Sequence, residues 1–194
     1  AAVRQLTHDV RHIDLELVDP PEIRFKAGQF ISFDVPDART GRTVTRPYSI
    51  ASSPSVSRTI SVLFNLVPHG PGSGYLFGLR KGDRTTFTGP AGNFYLRDDP
   101  TRDLLFVATG TGIAPIRSML LANAERPQPS RTTLFWGLRS QRDLYYEDEL
   151  SRLNREWPGS SHIITLSRPE PGWTGPAGRV TMLIEREIQD VKRL

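Results

Sequence analysis

The chain has 194 residues, enough for one large domain or two small ones, each able to bury a core. With 37% hydrophobic and 24% charged residues it has an ordinary globular balance, and the absence of cysteine excludes disulfides, thiolate zinc and Cys-ligated iron–sulfur clusters within this chain. A net charge of +4 favours anions in general, but the basic residues are dispersed, which argues against nucleic acid as a partner.

No apolar run approaches bilayer-spanning length, and Ala1 to Leu6 lack the basic start and apolar stretch of a signal peptide. No membrane association and a cytoplasmic location are therefore expected. The chain does not open on Met and is read as lying inside a longer gene product. The four histidines are scattered; His8 and His12 have helical spacing, but the apolar residues Val10, Ile13, Leu15 and Leu17 around them indicate a strand, so no metal site is expected.

In chain order, the first half reads as β. Ile13–Leu17 alternates with period two and ends at Pro20-Pro21. Phe30–Val35 is a second such run between Gly28 and Pro36; Arg42–Ile50, Thr59–Val67 and Arg84–Thr88 are further strands. Many short strands punctuated by Gly, Pro and Asp predict an antiparallel barrel or sandwich. Gly70-Pro71-Gly72-Ser73-Gly74 is a glycine-rich turn leading into one short helix, where backbone N–H groups either meet an ordinary cap or admit a phosphate.

After Asp98-Asp99-Pro100 the texture changes. Asp103–Ala108 is a near-continuous apolar run, expected to be a strand buried on both faces. Thr109–Pro115 is a glycine turn, Ile116–Ala124 is helical, and Thr132–Gly137 and His162–Ser167 are further strands. Tyr146–Glu156 is an amphipathic helix and Thr181–Val191 a last one. Alternating strand and helix predict a parallel α/β sheet, with the boundary near residues 98–101.

Three stretches carry chemistry. Thr45–Ser52 sets a guanidinium (Arg46), a flat ring (Tyr48) and a hydroxyl (Ser49) within four residues, suited to a flat phosphate-bearing ligand; with Pro47 it equally suits a plain edge strand. Strand, glycine turn and helix at Gly110-Thr111-Gly112 form a phosphate cradle at a strand's C-terminal end, and Pro115 fits the helix's first turn. Neither glycine turn is specific alone.

Arg46-Pro47-Tyr48-Ser49, Gly70 to Leu76, Gly89-Pro90-Ala91-Gly92-Asn93-Phe94, Gly110 to Pro115 and Trp136-Gly137-Leu138-Arg139 occur together in this order. In that order and spacing the chain resembles the ferredoxin–NADP reductase superfamily, in particular the flavin reductase modules of multicomponent oxygenases. The resemblance implies an antiparallel Greek-key β-barrel FAD domain over residues 1–98, then a parallel α/β NAD(P)-binding domain over 99–194. It implies that Tyr48 stacks on the isoalloxazine, Ser49 hydrogen-bonds near N5, and Arg46, with Pro47 in the same motif, meets the FAD pyrophosphate. Gly72, Ser73 and Gly74 would bind that pyrophosphate, with Phe64, Asn65 and Leu66 alongside; a basic residue often stands where Asn65 does. Gly110, Thr111, Gly112 and Pro115 would hold the dinucleotide, with Arg139 and the Ser167-Arg168 pair at its adenosine end. That pair resembles a 2′-phosphate grip, which tilts the donor towards NADPH over NADH.

The family pattern continues into a further strand and helix beyond Lys192-Arg193-Leu194, so the nucleotide domain is expected to be incomplete, either a fragment or completed by another chain. The implied reaction is hydride transfer from NAD(P)H to FAD, then single-electron steps to a separate iron–sulfur protein or oxygenase component. A free-flavin reductase and a non-catalytic flavin-binding electron-transfer subunit are the alternatives.

Overall fold

A computed structural model describes residues 2–37, 39–97, 99, 102–126 and 130–187. The chain divides into two compact units, Ala1–Leu96 with Ala114–Ala122, and Arg97–Ile113 with Asn123–Leu194. Residues 98, 100 and 101 of the expected boundary, the end of the expected last helix and the terminus at 192–194 lie outside the described residues.

The first unit is built on antiparallel strands, as alternation predicts. β1 (Ala2–Gln5), β2 (Val10–Glu16) and β5 (Thr59–Asn65) form one sheet in the order β1-β2-β5. β3 (Phe30–Asp37), β4 (Arg42–Ser49) and β6 (Thr88–Ala91) form another in the order β4-β3-β6. An isolated antiparallel bridge between Ile50 and Val62 links them, and among the described residues the ladder does not close into a barrel.

In β3 the residues Ile31, Phe33 and Val35 point inward and are fully buried, joining Ile13, Leu15, Ile50, Ile60, Val62, Phe64 and Leu76 in one core. Pro47 sits on the outer strand of its sheet, where a missing ladder donor is tolerated. The strand expected at Arg84–Thr88 forms instead at Thr88–Ala91, pairing irregularly with β3. Its glycine, Gly89, takes φ +126, a conformation that other residues rarely adopt, at the place where the β3–β6 register shifts.

The second unit is a three-stranded parallel sheet, β7 (Leu104–Thr109), β8 (Thr132–Leu138) and β9 (Ser160–Leu166), in sequential order. α3 (Glu147–Glu156) buries Leu150 and Leu153. α4 (Val180–Glu187) sets Val180 and Leu183 against Phe135, with Ile163 alongside. One expectation fails at β7: Phe106 and Ala108 are buried, but Leu105 and Val107 are 38% and 43% exposed. β7 is the outer strand, and α4 covers this face over β8's Phe135, so β7 is buried on one face only. Among the described residues no helix is long and apolar enough to cross a membrane.

Candidate functional site

Two clusters gather the residues singled out from sequence, one in each unit. The first lies on β4 and the helix α1 (Pro71–Gly78). Antiparallel pairing sets Arg46 opposite Phe33 and Tyr48 opposite Ile31, so both side chains share the face that carries the core. The Tyr48 ring is held edge-on by Phe33 at 5.8 Å and by Phe64 at 5.7 Å, and Phe64 is backed in turn by Phe77 at 5.6 Å. Burial pushes the Tyr48 phenol up from its ordinary value against the pull of the Arg46 charge, so the hydroxyl stays neutral at physiological pH. Phe64 is thus a buried support for Tyr48, whereas Asn65 and Leu66 are exposed at the end of β5.

The glycine-rich segment is the first turn of α1 itself, with Gly70 as its cap and Pro71 opening it. A β-carbon at Gly72 would meet the Tyr48 hydroxyl at 2.5 Å and the Arg46 stem at 2.9 Å. A β-carbon at Gly74 would meet nothing within 4 Å. One glycine is therefore required by packing, and the other leaves an open surface. The Ser73 hydroxyl does not face outward: Ser73 is buried, and its Oγ accepts from the Val67 N–H at 3.0 Å. What Ser73 offers a ligand is its backbone N–H, since the N–H groups of a helix's first turn have no intrahelical acceptor. Arg46 is exposed, with one guanidinium nitrogen donating to the Thr45 carbonyl at 2.9 Å.

The segment just beyond Ser49 is fixed by a helix. α2 (Ile113–Ala124) is placed mostly with the first unit, and within that unit Arg117 donates to the Ala51 carbonyl at 2.5 Å. The fully buried Ser118 hydroxyl donates to the Ser52 carbonyl at 2.6 Å. These two residues escaped the sequence reading, because a polar residue inside a helix has no signal until its partner is known.

In the second unit, β7 runs into a 3-10 turn at Gly110–Gly112. Gly110 has φ +49, and β-carbons at Gly110 and Gly112 would meet nothing within 4 Å. The buried Trp136 of β8 donates its indole N–H to the Gly110 carbonyl at 3.0 Å, fixing the turn. Pro115 is the third residue of α2, where it displaces no helical hydrogen bond. Arg139 follows β8 and Ser167-Arg168 follow β9; all three are exposed. The backbone N–H of Ser167 bonds the Leu138 carbonyl at 3.0 Å and that of Arg168 the Arg139 carbonyl at 2.7 Å, so the two arginines are neighbours at the C-terminal ends of adjacent strands.

These arrangements fit two dinucleotides: a half-buried aromatic beside an arginine and a glycine-opened helix start, and an open glycine turn at a parallel strand's end with one arginine after each of the next two strands. Comparison with known proteins agrees. Residues 1–95 match the oxidoreductase FAD-binding domain and residues 106–193 the oxidoreductase NAD-binding domain. A ferredoxin–NADP reductase B from Sorangium cellulosum is 38% identical over 179 residues, covering 92% of this chain and 72% of that protein.

The chain belongs to the ferredoxin–NADP reductase family. It carries the oxidoreductase FAD-binding and NAD-binding domains of that family. The electron transfer component XylA of the xylene/toluene monooxygenase from Pseudomonas putida is 34% identical, across 92% of this chain and 50% of its own length. The crystal structure of the Amycolatopsis cytochrome P450 reductase GcoB superposes with a TM-score of 0.84 at 29% identity, covering 98% of this chain and 56% of that one. The chain thus spans about half the length of these two relatives.

Proposed function

We propose that the chain takes reducing equivalents from NADPH, or from NADH, and passes them through bound FAD to an iron–sulfur protein or an oxygenase component. The contact of Gly72 with Tyr48 and Arg46 carries this reading. It draws the aromatic, the cation and a row of helix-start N–H groups into one place, which no fold requirement explains as economically. XylA is the electron transfer component of a monooxygenase and GcoB is a cytochrome P450 reductase, which supports this class of acceptor. With no cysteine in the chain, a cluster must reside elsewhere.

In this reading residues 1–98 serve FAD and residues 99–194 the nicotinamide nucleotide. Bound FAD supplies the chemistry that this chain's side chains lack, accepting a hydride and releasing electrons singly. Tyr48 stacks on the flavin, its ring orientation fixed by Phe33 and Phe64. Ser49 offers its hydroxyl at the hydride-accepting edge. Arg46, with Pro47 shaping the strand, pairs with the pyrophosphate, as do the backbone N–H groups of Gly72 and Ser73; the Gly74 N–H is spent on the Gly70 carbonyl at 2.9 Å, and what Gly74 contributes is room for the ligand's approach. Asn65 and Leu66 line the same side, with Phe64 acting from behind. Gly110, Thr111, Gly112 and Pro115 receive the nucleotide pyrophosphate, and Arg139, Ser167 and Arg168 its adenosine end. Two adjacent arginines suit a 2′-phosphate, which favours NADPH.

The test is an absorption spectrum of the purified chain reconstituted with FAD, followed by anaerobic titration with NADPH and then NADH. A bound-flavin spectrum bleached by substoichiometric NADPH is the expected result. A bound flavin that neither nucleotide bleaches would favour an electron-transfer subunit, and no retained flavin would favour a reductase that treats flavin as a substrate.

A further inference from the structure

Just beyond the two arginines at the strand ends, the loops after β8 and β9 are bridged by a residue that neither motif includes. We propose that Gln141 is a positioning residue for the adenosine end of the nicotinamide nucleotide. Its side-chain amide ties the loop after β9 to the loop after β8 and so keeps Arg139 and Arg168 in place as one anion-binding pair. The inference rests on the reading of Arg139, Ser167 and Arg168 given above.

Consider what happens to the β8–β9 ladder past its last strand residue. Two more main-chain bonds follow, Ser167 N–H to the Leu138 carbonyl and Arg168 N–H to the Arg139 carbonyl. The next residue is Pro169, which has no N–H to give, so the main chain cannot continue the pairing. At that break the Gln141 amide takes over. Its Nε2 donates to the Glu170 carbonyl at 2.8 Å, and its Oε1 accepts from the Glu170 N–H at 2.8 Å. Both polar ends of one side chain thus serve both backbone groups of one residue, in the manner of a ladder step.

The anchor is itself held firmly. Gln141 opens a 3-10 turn, Gln141–Asp143, closed by a reciprocal cap. Asp143 Oδ2 accepts from the Ser140 hydroxyl at 2.7 Å and from the Ser140 N–H at 2.9 Å, and the Asp143 N–H donates to the Ser140 carbonyl at 3.0 Å. Arg168 is therefore tied at its own N–H and again two residues later. Its backbone is fixed on both sides of the proline.

Among the described residues, neither the Arg139 nor the Arg168 guanidinium has an ion pair or a side-chain hydrogen bond. Two unpaired cations fixed on adjacent strand ends repel each other, and a bridging anion with two charges relieves that repulsion. A phosphate monoester on the ribose fits, and a ribose hydroxyl does not. Gln141 should accordingly act on discrimination between phosphorylated and unphosphorylated adenosines more than on nucleotide binding as a whole.

The experiment uses the FAD-reconstituted chain and measures dissociation constants for 2′,5′-ADP and for 5′-AMP in the original protein, Gln141→Met, Gln141→Glu and Arg168→Ala. Gln141→Met keeps the stem but removes both hydrogen bonds; Gln141→Glu keeps the acceptor alone. The flavin spectrum and far-UV circular dichroism of every variant serve as the folding control. The expected result is a loss of about five- to tenfold for 2′,5′-ADP in Gln141→Met, a loss at least as large in Gln141→Glu, whose carboxylate faces the Glu170 carbonyl and adds a charge that competes with the phosphate, and less than about twofold change for 5′-AMP in Gln141→Met. Equal losses for both ligands, or none in Gln141→Met while Arg168→Ala abolishes the preference, would overturn the role of Gln141 alone. An original protein without any 2′,5′-ADP preference, or Arg168→Ala that retains it, would overturn the adenosine-end reading and the inference with it.

Discussion

A β-carbon on Gly72 would stand 2.5 Å from the Tyr48 hydroxyl oxygen, closer than non-bonded heavy atoms approach. The helix start that offers its N–H groups and the ring that offers its face are therefore a single packed unit, and they can be separated by substitution. Gly72→Ala must push Tyr48 or α1 aside, at a cost of about 1–3 kcal/mol, and should lower FAD affinity at least tenfold. Gly74→Ala meets no neighbour and favours the helix slightly. It should leave thermal stability unchanged or raised, and any loss of flavin in that variant would report the ligand's own approach. Flavin-to-protein absorbance ratios and melting curves on both variants decide this.

Ser118 is fully buried and donates to the Ser52 carbonyl at 2.6 Å, three residues beyond Ser49. Ser118→Ala leaves that carbonyl without this donor and should destabilise the folded state by about 1–2 kcal/mol, partly offset by the better helix propensity of Ala. Urea titration followed by tryptophan fluorescence measures the difference. A variant as stable as the original would mean that another donor satisfies Ser52.

The buried His12 and its neighbour Asp14 predict acid sensitivity in two steps. Burial holds the His12 imidazole below its ordinary value, although Asp14 Oδ1 lies only 2.7 Å from its Nε2. A folded-state value below the unfolded one means that the unfolded chain binds more protons, so stability falls as pH drops below about 6.5. For Asp14, burial pushes the carboxyl up, but hydrogen bonds with His12 and Ser61 and the Arg4 charge outweigh it and hold the value at about 2. Its contribution is complete above about pH 4 and is lost as pH falls from there towards 2. Denaturation midpoints across this range should decline in both windows. His12→Asn should remove the upper decline and shrink the lower one, because it takes away one of the groups that hold Asp14 low.

Trp136 fixes Gly110 through its indole N–H. Trp136→Phe keeps an aromatic there but loses that bond and some volume, and should weaken NADP⁺ binding about three- to tenfold while FAD binding stays unchanged. Equilibrium binding of both ligands, together with the melting temperature, would reveal a change confined to the second unit. Equal weakening of both ligands would point to general unfolding.

Where local pattern and tertiary environment agree, the sequence was legible. Ile31, Phe33 and Val35 alternate in the sequence and in the core alike, and Pro47 marks an outer strand in both. The parallel sheet and its glycine turn followed from apolar runs separated by helical ones. The misses have identifiable causes. Leu105 and Val107 look buried because their composition is apolar, but burial depends on what covers an outer strand, and no local pattern encodes that. Arg84–Phe87 has strand propensity, but the pairing with β3 begins only at Thr88. The sequence places Ser73 among the pyrophosphate residues without saying which of its atoms is offered; its hydroxyl serves Val67, which leaves the backbone N–H. Gln141, Arg117 and Ser118 were invisible because each acts through a carbonyl or amide distant in sequence.

The Tyr48 ring belongs at once to the proposed flavin site and to an aromatic row that runs through Phe64 to Phe77, where the Arg11 guanidinium closes it 4.3 Å from the ring centre. Such a ring keeps its orientation for as long as the first unit stays folded, because its seat is the interior itself. On heating, flavin fluorescence should rise at the temperature at which the first unit unfolds, so released flavin would serve as a thermometer already built into the protein.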